Sequence, residues 1–101
     1  MATKITIIID NPVDVAAFDA SYETVRASAA QLPGLQRLEA AKVWPKEDGT
    51  PTPAYRTLDL YFESYEAASA AVNTPVAGEF FHALIGTGVT FTGLFSDIEQ
   101  N

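Results

Sequence analysis

A chain of 101 residues with 48% hydrophobic and 19% charged residues can bury one core but not two, so one domain over residues 1–101 is expected. It has no cysteine, which excludes disulfide frameworks, cysteine-based zinc sites and thiol catalysis, and a net charge of −7 with singly scattered Lys and Arg argues against nucleic acid. No apolar run reaches membrane-spanning length and no basic segment leads into a long apolar one, so a cytoplasmic protein with no membrane partner is expected.

Lys4 to Asp10 reads as the first strand, with Ile5, Ile7 and Ile9 on one face and Thr6, Ile8 and Asp10 on the other. Asn11-Pro12 breaks it, and Asp14 is placed to cap a helix from Val15 to Leu32. Phe18, Tyr22, Val25, Ala29 and Leu32 recur at spacings of four and three, which makes one apolar stripe; Asp19, Glu23, Arg26 and Gln31 fall mainly outside it. Pro33-Gly34 ends the helix, because proline disfavours helical geometry in the residue before it and glycine lets the chain turn.

The stretch from Pro33 to Phe62 reads as a long hairpin at the centre of the domain. Leu35 to Trp44 forms the second strand and Tyr55 to Phe62 the third, whose Leu58, Leu60 and Phe62 make an apolar row. Between them, Pro45 to Pro53 is dense in turn formers and charges and should stand out from the body. Pairing of Arg37 near Asp59 would bring opposite charges together and help fix register. Ser64 caps a short helix, Tyr65 to Val72, and Thr74-Pro75 starts another that buries Val76, Phe80, Phe81 and Leu84. Gly86 and Gly88 end it, and Val89 to Phe95 alternates as a fourth strand.

The order β-α-β-β-α-β predicts an α+β, ferredoxin-like domain: a four-stranded antiparallel sheet with both helical regions on one face. The other face carries Ile8, Val43 and Tyr61 among polar residues. A second copy of the same sheet is the simplest cover for it, so a homodimer through the sheet face is expected.

Phe18-x-x-x-Tyr22, Leu32-Pro33-Gly34-Leu35, Thr74-Pro75-x-x-Gly78 and Gly88-Val89-Thr90, in that order over nearly the whole chain, resemble the EthD family. The resemblance implies a dimeric α/β barrel, a ligand cavity between helices and sheet, and a link to degradation of small organic compounds. The family often carries a generic reductase label, hence an oxidoreductase expectation. Relatives on the same fold are cofactor-independent oxygenases, decarboxylases, isomerases and haem-degrading enzymes. Many members have a histidine followed two residues later by proline in the first helix; here those positions are Val25 and Ala27. If that histidine is the family's acid–base group, this chain lacks it.

His82, the single histidine, is either a flank residue of the later helix or a pocket acid–base group, with haem ligation a lesser option. One histidine cannot assemble a multi-histidine metal site, so a bound metal would need carboxylates. Trp44 and Tyr55 flank the loop and form either a cross-strand clamp or the aromatic mouth of a pocket. Tyr22 must satisfy a buried hydroxyl, through a protein partner or a ligand. Arg26 is a solvated helix charge or an anchor for an anionic group. Gly86-Thr87-Gly88 follows a helix and precedes a strand, the reverse of a dinucleotide loop, and no serine sits at a nucleophile elbow.

The expected site therefore draws on Phe18, Tyr22, Val25, Arg26, Trp44, Tyr55, Phe81 and His82, with Tyr22 and His82 as catalytic candidates and no metal or cofactor. Its expected partner is a small apolar or aromatic molecule. Two functions fit: a non-catalytic dimer that binds or carries such a molecule, and a cofactor-independent oxygenase, decarboxylase or isomerase acting on an aromatic or polyketide-like substrate.

Overall fold

In the computed structural model, which describes residues 1–100, the elements run β1 (Thr3–Ile9), α1 (Val15–Ala29), β2 (Arg37–Lys42), β3 (Arg56–Phe62), α2 (Tyr65–Val72), α3 (Pro75–Gly86) and β4 (Phe91–Asp97). The strands form one antiparallel sheet in the order β2-β3-β1-β4. This is the ferredoxin-like plan read from the alternation.

Period-two hydrophobicity decides which sheet face is covered. Ile5 pairs with Leu60 and Ile7 with Leu58, while Ile9 lies opposite Arg56 and Phe62 opposite Thr3; Ile5, Ile7, Ile9, Leu58, Leu60 and Phe62 are all buried. They meet the α1 stripe of Phe18, Tyr22, Val25, Ala29 and Leu32, together with Ala77, Phe80 and Leu84 of α3, in a single core. Each helix begins at a side-chain cap that accepts a hydrogen bond from a free backbone N–H: Asp14 from Ala17, Ser64 from Ala67, Thr74 from Ala77. Thr74 also donates its hydroxyl to the Ala71 carbonyl, at 2.7 Å, so one side chain closes α2 and opens α3.

Four expectations shift. The regular part of α1 ends at Ala29, and Gln31 and Leu32 continue in tighter turns, bonding back to Ser28 and Ala29, because Pro33 bars a helical Leu32. Gly34 then takes φ +79°, the left-handed conformation that lets the chain reverse. Strand β2 is shorter than Leu35 to Trp44. Strand β4 begins at Phe91, since Gly88 at φ +75° still turns the chain and Thr90 only receives the Asp10 N–H before the ladder opens.

The fourth shift is in hairpin register. Arg37 pairs with Tyr61, not Asp59, and Asp59 lies opposite Glu39. The like charges are separated by local partners. Arg37 bridges Glu39 on its own strand at 2.7 Å, while Asp59 accepts the Thr6 hydroxyl at 2.6 Å and lies 3.6 Å from the Lys4 ammonium.

The face away from the helices carries Lys4, Thr6 and Ile8, then Thr57, Asp59 and Tyr61, then Leu94. Among the described residues no helix packs on it. The Tyr61 ring lies between the Arg37 guanidinium at 4.6 Å and the Lys4 ammonium at 5.9 Å, and its hydroxyl donates to Glu39 at 2.6 Å. None of the helices is long and apolar enough to cross a membrane, among the described residues.

Candidate functional site

The apolar part of the helix–sheet layer is solid. Phe18, Val25 and Phe80 are fully enclosed, and Phe81 packs on Phe80 with ring centres 4.9 Å apart. Open space lies instead at the β2 edge of that layer. There a cleft of about 400 Å³ runs between α1 and the strands β2 and β3. Its walls are Tyr22 and Arg26 from the helix, Ala40 and Lys42 from β2, and Arg56 from β3, with Asp19 and Glu23 at the rim. Ala40 makes the cleft possible, since a small side chain there leaves room opposite the helix.

At the base of the cleft sits Tyr22, 5% exposed, its ring stacked on Phe18 at 5.5 Å. Helical spacing from Phe18 puts it on the core side, so the hydroxyl is desolvated, yet it has no hydrogen-bond partner. Burial pushes the phenol above its ordinary pKa, while the Arg56 charge, and more weakly Arg26, pull it back.

Arg56 is the second unusual side chain. Its guanidinium lies between two rings, 4.6 Å from the centre of Tyr55 and 5.0 Å from that of Tyr22. One terminal nitrogen, Nη2, reaches Asp19 Oδ1 at 3.4 Å; the other, Nη1, is buried and unpaired. Tyr55 completes the frame by donating its hydroxyl to Asp19 at 3.2 Å and setting its ring edge-on to Phe18. Stacking and the carboxylate fix the guanidinium plane, so Nη1 is aimed rather than free to swing.

Charge is unevenly shared around the cleft. Arg26 is taken by Glu23 at 2.6 Å and Arg56 leans on Asp19. Among the described residues Lys42 bridges no carboxylate, and its ammonium instead lies 5.7 Å from the Tyr55 ring. Three cations thus face two carboxylates within a protein of net charge −7.

Of the residues expected to form a site, the structure brings Phe18, Tyr22, Arg26 and Tyr55 together. Val25 is enclosed in the core beside them, and Phe81 lies partly buried on α3. His82 is exposed on α3 and does not line the cleft. Trp44 does not face Tyr55: Val43 takes that place through its N–H to the Tyr55 carbonyl, and Tyr55 turns under α1. Trp44 is 86% exposed, beside a separate hollow with Val43 and Pro45. Arg56 was not among the expected residues. Its place on the helix-facing side of β3, in phase with Leu58 and Leu60, was the available signal: a charge in an apolar row needs a reason.

No protein-family model matches the chain. It is 37% identical over 73 residues, 71% of this chain and 70% of the relative, to an uncharacterized 11.0 kDa protein of the thcB-thcC intergenic region of Rhodococcus erythropolis. Solved structures similar in fold include an ethyl tert-butyl ether D (EthD) family protein from Bacillus halodurans, with TM-score 0.88 and 19% identity over 97% of this chain and 99% of that one. A dimeric ferredoxin-like protein of unknown function from Jannaschia sp. superposes with TM-score 0.72 and 10% identity, covering 97% of this chain and all of that one. SnoaB, a cofactor-independent oxygenase from Streptomyces nogalater, follows at TM-score 0.69 and 13% identity, covering 99% of this chain and 95% of that one.

Proposed function

Because this chain belongs to one family with the 11.0 kDa Rhodococcus erythropolis protein and has the fold of the Bacillus halodurans EthD protein, we propose that it is a homodimer that binds a small, flat organic molecule in the α1–β2–β3 cleft. The observation that carries this reading is the buried Tyr22 hydroxyl, left without a partner where the cleft meets the core. A desolvated hydroxyl with no hydrogen bond is costly unless something arrives to accept or donate one. The Tyr22 ring lines the cleft and gives it an aromatic wall, while Tyr55 backs Arg56 from behind. Of the earlier candidates, Tyr22 and Arg26 then serve the ligand, Phe18 backs Tyr22 and Tyr55 holds Arg56, while Val25, Phe81, Trp44 and His82 stay outside the contact.

The dimer rests on the uncovered sheet face, with Ile8, Tyr61 and Leu94, and on the dimeric state named for the Jannaschia protein. A second reading, enzyme rather than carrier, is favoured by the juxtaposition of the Tyr22 phenol with a guanidinium. Such a pair could orient a substrate for cofactor-independent oxygenation, decarboxylation or isomerisation.

Thermal melts against a panel of aromatic compounds, with NADH, FMN and divalent metals as comparison arms, test the proposal. Aromatic compounds should raise the midpoint, with about 2.7 kcal/mol of stabilisation at one hundred times the dissociation constant, and the comparison arms should not. A panel without any aromatic shift would sink the binding reading. Loss of a bound compound in air, without added cofactor, would select the enzyme.

A further inference from the structure

Arg56 Nη1 and Tyr22 Oη, buried without hydrogen-bond partners, have a definite chemical sense. Building on the cleft as the binding site, we propose that it takes an aromatic acid or phenolate, held through its oxyanion, rather than a neutral aromatic molecule.

Two independent observations lead there. The first is a pair of unpaired donors. Nη1 of Arg56 can only donate, and the Tyr22 phenol, held protonated by burial, is best used as a donor too. Both belong to the wall of one cleft, and an acceptor with several lone pairs, best a charged oxygen, could serve both at once. Asp19 cannot do this, since it already receives Nη2 of Arg56 and the Tyr55 hydroxyl on the far side of the guanidinium. The second observation is the charge count. Arg26 and Arg56 have carboxylate partners and the exposed Lys42 has none among the described residues, so three cations meet two carboxylates around the cleft. In a protein of net charge −7 an uncompensated cation beside a desolvated guanidinium is a local exception, and an anion removes it. The Tyr22 ring in the cleft wall extends the match to a ligand whose oxyanion is attached to an aromatic ring.

Benzoate and benzamide, alike in shape and different in charge, are the probes. Their dissociation constants are measured on the full chain by titration calorimetry, and the contact is located by NMR shifts of the Arg56 side chain. Benzoate should bind roughly ten- to a hundredfold more tightly than benzamide, with affinity falling as salt is raised. Arg56→Gln should erase the preference and Arg56→Lys should keep part of it, so a folding defect in one variant does not remove the test. Equal binding of the two probes in the cleft overturns the oxyanion and leaves the binding site standing. Failure of both to bind there overturns the oxyanion together with the site itself.

Discussion

The guanidinium carbon of Arg56 lies 5.0 Å from the centre of the Tyr22 ring, and each residue holds one buried polar atom without a hydrogen bond. The two come from different elements, β3 and α1, whose apolar faces pack as the core requires. Packing therefore fixes the pair at the wall of the cleft. In a fold of this size such an arrangement costs stability, which points to a use.

Removal of the Tyr22 hydroxyl should therefore help the unliganded fold. Tyr22→Phe keeps the ring on Phe18 and deletes the unpaired oxygen, for an expected gain of about 1 kcal/mol. In a domain of this length that corresponds to a midpoint rise of roughly 4–8 °C. Tyr22→Ala should instead lose about 3–5 kcal/mol, as a buried ring is replaced by a cavity. A Phe variant clearly less stable than the parent would mean that the hydroxyl is already satisfied.

Alkaline stability should depend on the same residue. Tyr22 keeps its proton to higher pH folded than unfolded, where the ordinary value is about 10. Its contribution is whole below that value and is lost as pH rises through the raised folded one, because only the unfolded chain gives up the proton early. Tyr61 acts in the same direction, through its hydrogen bond to Glu39, but near the surface. Melts from about pH 8 to about pH 11 should fall less steeply for Tyr22→Phe than for the parent. Phenolate absorbance should show one late-titrating tyrosine removed.

Two glycines should answer in opposite ways to alanine. Gly34 sits at φ +79°, where a side chain is strained even in open space, so Gly34→Ala should cost about 1–2 kcal/mol. Gly93 lies inside β4, without a positive φ, and a Cβ there would meet the Ile7 side chain at an ordinary 3.5 Å. Gly93→Ala should stabilise by roughly 0.4–1 kcal/mol by narrowing the unfolded ensemble. Urea titrations of both variants read the signs directly.

Ile8 points out of the middle of the sheet on the uncovered face, between Thr57 and Thr92. If two such faces meet, Ile8→Lys places like charges together across the symmetry axis. Sedimentation should then change from a mass near twice 10.9 kDa to the monomer, with the far-ultraviolet spectrum unchanged. A parent protein that already runs as a monomer at micromolar concentration would remove the dimer.

Local signals made most of the fold legible. The α1 stripe, the caps at Asp14 and Ser64, the Thr74-Pro75 helix start and the alternation in β1 and β3 depend on neighbours a few residues away. The hairpin register was not legible. Charge pairing suggested Arg37 with Asp59, but the backbone pair Val43–Tyr55 and the apolar match of Leu38 with Leu60 set it two residues away. The cleft was half legible. Tyr22 declared itself as a polar group on an apolar stripe. Arg56 carried the same kind of signal, a charge in phase with Leu58 and Leu60, but its pairing with Tyr22 and Asp19 joins residues more than thirty positions apart.

The sheet order also bears on how the chain acquires its shape. Strand β1 is central, and it waits for β3 and then β4: the Thr3 hydroxyl closes on Asp97, 94 positions later. During synthesis its run of Ile5, Ile7, Ile8 and Ile9 therefore has no partner until β3 emerges, and one open edge until nearly the whole polypeptide has followed. Contacts of such long span make for slow folding and expose a sticky segment meanwhile. A chain stopped before Phe91 would leave that central strand with one open edge, which favours aggregation over a soluble fragment.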